Sequence, residues 1–464
     1  MEPQRIRHLN DEAPARHGRY VLYWMQAAQR AGFNHALEHA VELADARRRP
    51  LVVGFGLMDD YPEANLRHYR FMLEGLKETA AELEGRGIRF VMRRGRPPEV
   101  ALELARGASL VVCDKGYTRF QRALRNQVAA GAGRQVVEVE GEVAVPVEAA
   151  SDKAEVGART LRPKILRLRE QFLHDLPERR PAINARGLDL RSDFDPADVD
   201  GALAALKLDR SVPPVDRFKG GTSEVRARLK RFLATQLRGY KDARSDPAHG
   251  RTTELSPYLQ FGQISPVEMA LRAIEAAPAG DPDRASFLEE LIVRRELAHN
   301  FLWHRPEDYD RYEGLPAWAR GTLDRHRKDR RERTYTVAEL EAGATHDRYF
   351  NAAMREMRAT GYMHNYMRMY WGKKILEFSK SPEEAFAAAL ALNNKHFLCG
   401  RGANAFANVA WIFGQHDRPW VERPVFGQVR YMNDKGLERK FDIGAYVRWT
   451  EGLEGGSSEK TFPT

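Results

Sequence analysis

The reading turns on residues 361–433: GYMHNYMRMYWGKKILEF (Gly361–Phe378), LNNKHF (Leu392–Phe397), CGRGANAFANVAWIFGQHDRPW (Cys399–Trp420) and ERPVFGQVRYMN (Glu422–Asn433). Trp371, Trp411 and Trp420 stand here among His, Asn, Met and Arg residues. No ordinary core needs that mixture. Aromatic faces interleaved with arginine suit a flat π-system, either an isoalloxazine ring or an exposed nucleobase.

Working outward, 464 residues predict two domains, since single cores rarely grow past about 250–300 residues. A hydrophobic fraction of 43% supports globular cores, and 30% charged residues argue for a soluble protein. The net charge of +9 favours a polyanionic partner, nucleic acid first and an anionic membrane surface second. With only Cys113 and Cys399, the chain has neither a disulfide framework nor a Cys-based zinc site. No apolar run reaches membrane-span length. The opening MEPQRIRHLNDEAPARHGR lacks a signal-peptide core, so a reducing, cytoplasmic location is expected. Residues 1–19 and the tail EGLEGGSSEKTFPT (451–464) read as disordered.

From Tyr20, short apolar runs alternate with amphipathic segments. The runs are YVLYWM (20–25), PLVVGFGL (50–57), IRFVMR (88–93), SLVVCD (109–114) and QVVEVEG (135–141). Strands alternating with helices predict an α/β domain over 20–148 with a parallel, doubly wound sheet. Ligands of such sheets sit at the C-terminal strand ends. Neither G-x-G-x-x-G nor G-x-x-x-x-G-K-[ST] is present, so a conventional dinucleotide or NTP site is not expected. Residues 149–219, rich in Pro and Asp after Phe172, read as an interdomain linker with short helices. Beyond Gly220 the helical period dominates to residue 450. Thr222-Ser223 can cap the first helix, and one continuous helix is expected over Arg284–Leu302.

Three further stretches carry chemistry. TTELSPYLQFGQIS (Thr252–Ser265) offers hydroxyls and free N–H groups ahead of a helix, which suits a diphosphate or ordinary N-capping. FLEELIVRRELAHNF (Phe287–Phe301) puts Glu290, Arg294, Arg295 and Glu296 beside an apolar strip; by itself it reads as an ion-paired helix surface. MHNYMRMYW (Met363–Trp371) sets an Arg among methionines, costly in a core unless paired.

Together with YWMQAAQRAGFNHAL (Tyr23–Leu37), these motifs resemble the DNA photolyases, most closely the class II cyclobutane-dimer photolyases, over about Tyr20 to Val447. The resemblance implies an all-α, FAD- and DNA-binding domain over 220–450. It implies FAD contacts from Tyr240, Thr252, Thr253, Leu255, Ser256, Arg295, Arg368 and Asn393, the last beside flavin N5. Glu290 and Met369 match dimer-contacting positions, and Glu290 over an apolar cavity would have a raised pKa. Trp411 matches a residue that meets the flipped dimer, Arg418 and Arg430 match DNA-binding positions, and Trp371 matches the flavin-proximal member of an electron-transfer chain. A deazaflavin-type antenna chromophore is a further possibility of the family's N-terminal domain.

Two departures stand out. Phe350 and Phe378 occupy the other two relay positions, and phenylalanine is far harder to oxidise than tryptophan; Tyr349, Tyr362, Tyr366 and Tyr370 lie nearby. The family's DGRDPNG reads CGRGANA, so Cys399 and Gly402 replace two aspartates, the first of which is expected to pair with the arginine equivalent to Arg368. The resemblance implies light-driven repair of cyclobutane pyrimidine dimers in single- and double-stranded UV-damaged DNA by a monomer. The alternatives are a cryptochrome-type photoreceptor and a light-independent DNA- or FAD-binding protein.

Overall fold

The computed structural model describes residues 1–454. Among them six strands make one sheet: β1 (Ile6–His8), β2 (Tyr20–Trp24), β3 (Leu51–Leu57), β4 (Arg89–Arg94), β5 (Ala108–Asp114) and β6 (Val136–Val139). The spatial order is β1-β6-β5-β2-β3-β4, parallel throughout except for antiparallel β1. Strands β2, β3, β5 and β6 are buried end to end, as a sheet with helices on both faces requires. Helices α1 (His35–Ala46), α2 (Leu66–Gly85), α3 (Pro97–Ala105) and α4 (Arg119–Gly131) supply that cover. Along β2 the alternation is direct: Val21 and Tyr23 join the core under α1 and α2, Leu22 and Trp24 the core under α3 and α4.

The first residues correct the expected disorder of 1–19. Arg5 is buried and donates to the carbonyls of Glu140, Val143 and Ala144 at 3.0, 3.2 and 2.6 Å. That anchor lays β1 against β6, with Ile6 opposite Val139. The tail expected to be disordered begins inside the last helix, and from residue 455 on it lies outside the described residues.

Helices α5 (Val147–Ala150), α6 (Ala158–Phe172) and α7 (Val199–Ala205) fall in the connecting stretch. Between α6 and α7 the chain follows the β4 edge: Met92 N–H donates to Ser192 Oγ at 3.1 Å, and Asp193 N–H to the Met92 carbonyl at 2.9 Å. An edge strand with free peptide groups invites pairing, and this segment blunts it.

The helical part opens with α8 (Thr222–Thr235), α9 (Tyr240–Ala243), α10 (Ser256–Gln260) and α11 (Pro266–Ala276). The cap of α8 differs from expectation. Gly221 is the N-cap, Thr222 Oγ donates to the Gln263 carbonyl, and Ser223 binds Glu78. The helix expected over 284–302 is split as well. It consists of α12 (Pro282–Leu288), a π-helical turn (Glu289–Arg294) and α13 (Arg295–His304). The widened turn re-aims its side chains, the usual effect of such insertions near functional sites. Then come α14 (Ala317–Arg325), α15 (Val337–Ala342), α16 (Arg348–Thr360), α17 (Asn365–Phe378), α18 (Pro382–His396), α19 (Ala403–Ile412), α20 (Asp434–Lys440) and α21 (Ile443–Glu454).

One clamp joins the two parts. The last carbonyls of a helix lack intrahelical donors, and the start of α2 supplies donors to two such ends. Arg67 donates to Met357 and Arg358 at the end of α16 (3.2 and 2.6 Å), to His396 at the end of α18 (2.8 Å) and to Pro213 (2.9 Å). Asn65 Nδ2 reaches the Lys395 carbonyl at 2.7 Å, and the His68 ring lies 3.1 Å from the Phe397 carbonyl. Burial pushes the Arg67 guanidinium down to about 10, with Arg358 adding to it.

Candidate functional site

A cavity of about 520 Å³ runs between the α/β domain and the helices, a size within the usual range for ligand pockets. Twelve of the fourteen residues singled out from the sequence line it. From the first helical segments come Tyr240, Thr252, Thr253, Leu255 and Ser256; the π-helical turn and α13 give Glu290 and Arg295. Helices α17 to α19 give Arg368, Met369, Trp371, Asn393 and Trp411. The α/β domain closes the other side with Gln26, Ala27, Lys115 and Tyr117, which follow β2 and β5. Those strands flank the point where the order of the sheet reverses, the crevice that open α/β sheets use for ligands.

Thr252, Thr253 and Ser256 are half-buried, and the Tyr362 hydroxyl donates to Thr252 Oγ at 3.3 Å. Glu254 between them has φ of 53°, a left-handed conformation that a non-glycine residue holds only when its surroundings fix it. Its carboxylate is bound by the buried Arg217.

Glu290 corrects an expectation. Its carboxylate lies 3.1 Å from Arg244 and is about one-third exposed, so it faces a cation and solvent rather than a purely apolar wall. Glu289, one residue earlier, pairs with Arg162 and Arg294 at 2.7 and 3.2 Å. Arg295 is buried and donates to the Glu142 carbonyl at 2.5 Å, and its Nε has no protein partner. Burial pulls its pKa below the ordinary arginine value, against the pull of Glu142 and Glu296.

Asn393 on α18 donates to Asn394 Oδ1 at 3.0 Å, and Asn394 donates on to Glu63 at 2.7 Å. That chain fixes the plane of the Asn393 amide at the cavity wall. Arg368 lies over the Phe397 ring at 3.8 Å and donates to the Met363 carbonyl and to Cys399 Sγ at 3.1 and 3.2 Å. The thiol therefore meets Arg368 directly. Trp371 is buried, donates to Met354 Sδ at 3.0 Å and has Phe397 as a ring neighbour at 6.2 Å. Phe350 and Phe378 form an edge-to-face pair at 5.8 Å in the same core. The four tyrosines divide: Tyr362 and Tyr366 line the cavity, while the hydroxyls of Tyr349 and Tyr370 donate to Glu438 and Asp347 at 2.6 and 2.5 Å.

Trp411, half-buried, sits in the last turn of α19. Gly372 lets α19 approach α17, because a Cβ there would overlap Ile412. The buried Lys373 ammonium donates to the Ile412 carbonyl, one of the free carbonyls at the end of α19. Burial lowers that lysine to about 7. Arg418 and Arg430 do not line the cavity; Arg430 borders it through Trp411, and Arg418 joins Arg430 through Trp420. Arg430 is 5.9 Å from the Trp411 ring and 4.6 Å from Trp420, and Arg418 is 5.5 Å from Trp420. Trp420, 37% exposed, is a rim residue that motif reading left without a role. The same holds for Arg401, buried on the cavity wall. Its place inside CGRGANA was the available signal.

A family model described as DNA photolyase matches residues 21–182. The chain is 47% identical over 453 residues to a deoxyribodipyrimidine photo-lyase of Methanothermobacter thermautotrophicus, covering 98% of this chain and 99% of that one. The fold is similar to a class III photolyase from Agrobacterium tumefaciens, with a TM-score of 0.72, 21% identity and coverage of 93% and 86%. It is also similar to an archaeal photolyase from Sulfolobus tokodaii solved with two FAD molecules, with a TM-score of 0.69, 18% identity and coverage of 95% and 92%. Near-complete overlap at that identity, on this fold, means that the chain belongs to the DNA photolyase family.

Proposed function

We propose that this chain splits cyclobutane pyrimidine dimers in DNA under light, with FAD held in the cavity, as a class II-type photolyase. The convergence of twelve motif residues on one cavity is the observation that supports this most. The residues fit FAD. Buried Arg295 and Arg401 each keep an Nε without a protein partner, which suits an acceptor-rich ligand. Thr252, Thr253 and Ser256 offer hydroxyls to a diphosphate, flanked by Tyr240 and Leu255. When bound and reduced, FAD supplies the light-excited electron that opens the cyclobutane ring.

The protein's part is positioning and electrostatics. Asn393 presents a fixed amide to the ring edge, and Arg295 and Arg368 supply positive charge beside it. Glu290 and Met369 contact the dimer, and Trp411 stacks on the extruded bases. Arg418 and Arg430 hold the DNA at the rim. Extrusion costs a few kcal/mol, least where stacking is already damaged, so single- and double-stranded DNA both serve. Trp371 is the inner electron-transfer residue. The cavity's reach to Gln26, Ala27 and Lys115 at the strand ends is where an antenna chromophore of deazaflavin type belongs in this reading. In this reading the protein works as a monomer on DNA in the cytoplasm; no described helix is long and apolar enough to cross a membrane.

Competition binding tests the substrate class. Dimer-containing oligonucleotides, single- and double-stranded, are expected to bind at least about tenfold tighter than undamaged ones, a margin of about 1.4 kcal/mol. Equal affinities would count against dimer recognition.

A further inference from the structure

Two arginines on the cavity wall have no carboxylate within 4 Å among the described residues. Arg368 spends its donors on the Met363 carbonyl and the Cys399 sulfur. Arg401 is buried; only its backbone N–H has a bond, to Asn394 Oδ1 at 3.0 Å, and its Nε is unpartnered. By contrast Arg244 is paired with Glu290 and Arg294 with Glu289. The CGRG turn offers no remedy. Residue 399 is a thiol, and a side chain at Gly402 would overlap Gln260. Burial brings Arg401 down to about 10, with Tyr61, Tyr69, Glu63 and Cys399 as the groups that pull the other way. A buried guanidinium without an anion is costly, so the site as built is short of negative charge.

Arg368 and Cys399 lie beside Phe397, and Arg401 is bonded to the neighbour of Asn393. The Arg368 guanidinium therefore borders the wall that carries Asn393, the ring end of the cavity in the FAD reading, and the Arg401 guanidinium faces the same cavity 6.0 Å from each of the Tyr61 and Phe261 rings. Reduction of a neutral flavin by two electrons and one proton leaves one net negative charge on the ring system. Fixed cations in a poorly solvated site stabilise such a charge strongly.

We propose that Arg368 and Arg401 act as standing counter-charges for the reduced flavin anion, raising the reduction potential of the bound cofactor so that a mild dithiol keeps it reduced in the dark. The proposal rests on the FAD reading above. The dithiol gives up two electrons and two protons and closes to its disulfide; the electrons and one proton go to the flavin, the other proton to water. It also accounts for the relay. The two relay positions beyond Trp371 hold the Phe350–Phe378 pair, rings too hard to oxidise for that relay, and a dark route lets recharging proceed without it or the neighbouring Tyr349–Tyr370 pair.

The test is the two-electron midpoint potential of the flavin-loaded full chain, measured against indicator dyes without oxygen. Cys399→Asp, which adds a carboxylate beside Arg368, and Arg401→Gln, which removes a cation, are each expected to lower the reduced-to-oxidised ratio at fixed potential at least tenfold, about 30 mV for a two-electron couple. Cys399→Asn, neutral and of similar size, is expected to leave it near the parent value, and a poised dithiothreitol couple is expected to give, in the dark, a reduced-to-oxidised ratio in the parent at least tenfold above that in Cys399→Asp. Unmoved potentials in Cys399→Asp and Arg401→Gln would overturn the proposal while leaving the FAD reading intact. Should one variant fail to fold, the other decides. A purified parent chain that takes up no FAD would overturn both.

Discussion

Replacing Trp411 by alanine is expected to weaken binding of dimer-containing DNA roughly five- to 150-fold while leaving the flavin content of the protein unchanged. Stacking of a base on an aromatic side chain is worth about 1–3 kcal/mol by alanine substitution, and each 1.4 kcal/mol is about tenfold in affinity. Trp411 is placed to provide it. It is half-buried at the end of α19, held there by Gly372 packing and by the Lys373 ammonium on the Ile412 carbonyl. The Arg430 guanidinium at 5.9 Å adds a cation beside the same ring. Affinity for undamaged DNA is expected to fall much less, because the backbone contacts proposed for Arg418 and Arg430 would remain and carry little sequence information. Titration of both DNAs against the parent and the variant reads this directly. Equal losses on both would make Trp411 a structural residue, and no loss on either would remove it from the site.

The second large effect is on stability. Arg67→Ala is expected to cost about 3–5 kcal/mol, at the severe end for single substitutions. The change removes a donor from four carbonyls at once, those of Pro213, Met357, Arg358 and His396, of which Met357 keeps the Gly361 N–H. Unsatisfied buried acceptors cost about 1–3 kcal/mol each, though water can reach some of them. The consequence reaches the cavity. The end of α18 leads from Asn393 into Cys399 and Arg401, and this clamp holds that end against α2. Denaturant unfolding followed by flavin release is expected to show the helical part loosening first. A loss below about 1 kcal/mol, the scale of one ordinary hydrogen bond, would mean that the interface is maintained by other contacts.

The sequence made the α/β half legible because its strands are nearly all apolar and its helices are punctuated. Helix α3 opens on the pair Pro97-Pro98, a start signal written in the sequence. β1 escaped notice because Ile6-Arg7-His8 is short and polar; what holds it is Arg5, bonded to carbonyls 135 to 139 residues away. The break in the helix over 284–302 left no local sign either. A π-helical turn contains neither Gly nor Pro here, and only tertiary pairing, Glu289 to Arg162 and Glu290 to Arg244, marks it.

The site was legible wherever its residues came in dense motifs. Those segments, spread from Tyr240 to Trp411, meet at one cavity. What sequence could not supply was the partner of each charged group. Arg244 opposite Glu290 and Arg401 left without a carboxylate depend on distances between segments that no spacing rule encodes, whereas the meeting of residue 399 with Arg368 followed from the family resemblance. The far wall of the cavity was hidden for the same reason, since Gln26, Lys115 and Tyr117 reach it only through packing of the two domains.

The central claim is light-driven repair, and one measurement tests it most directly: purified protein, chemically reduced without oxygen, mixed with dimer-containing single- and double-stranded DNA and divided between blue light and darkness. The account predicts loss of dimers in the light on both substrates and none in the dark. Intact dimers in the light, with flavin bound and damaged DNA held, would contradict it and favour a light-sensing role for the same cavity.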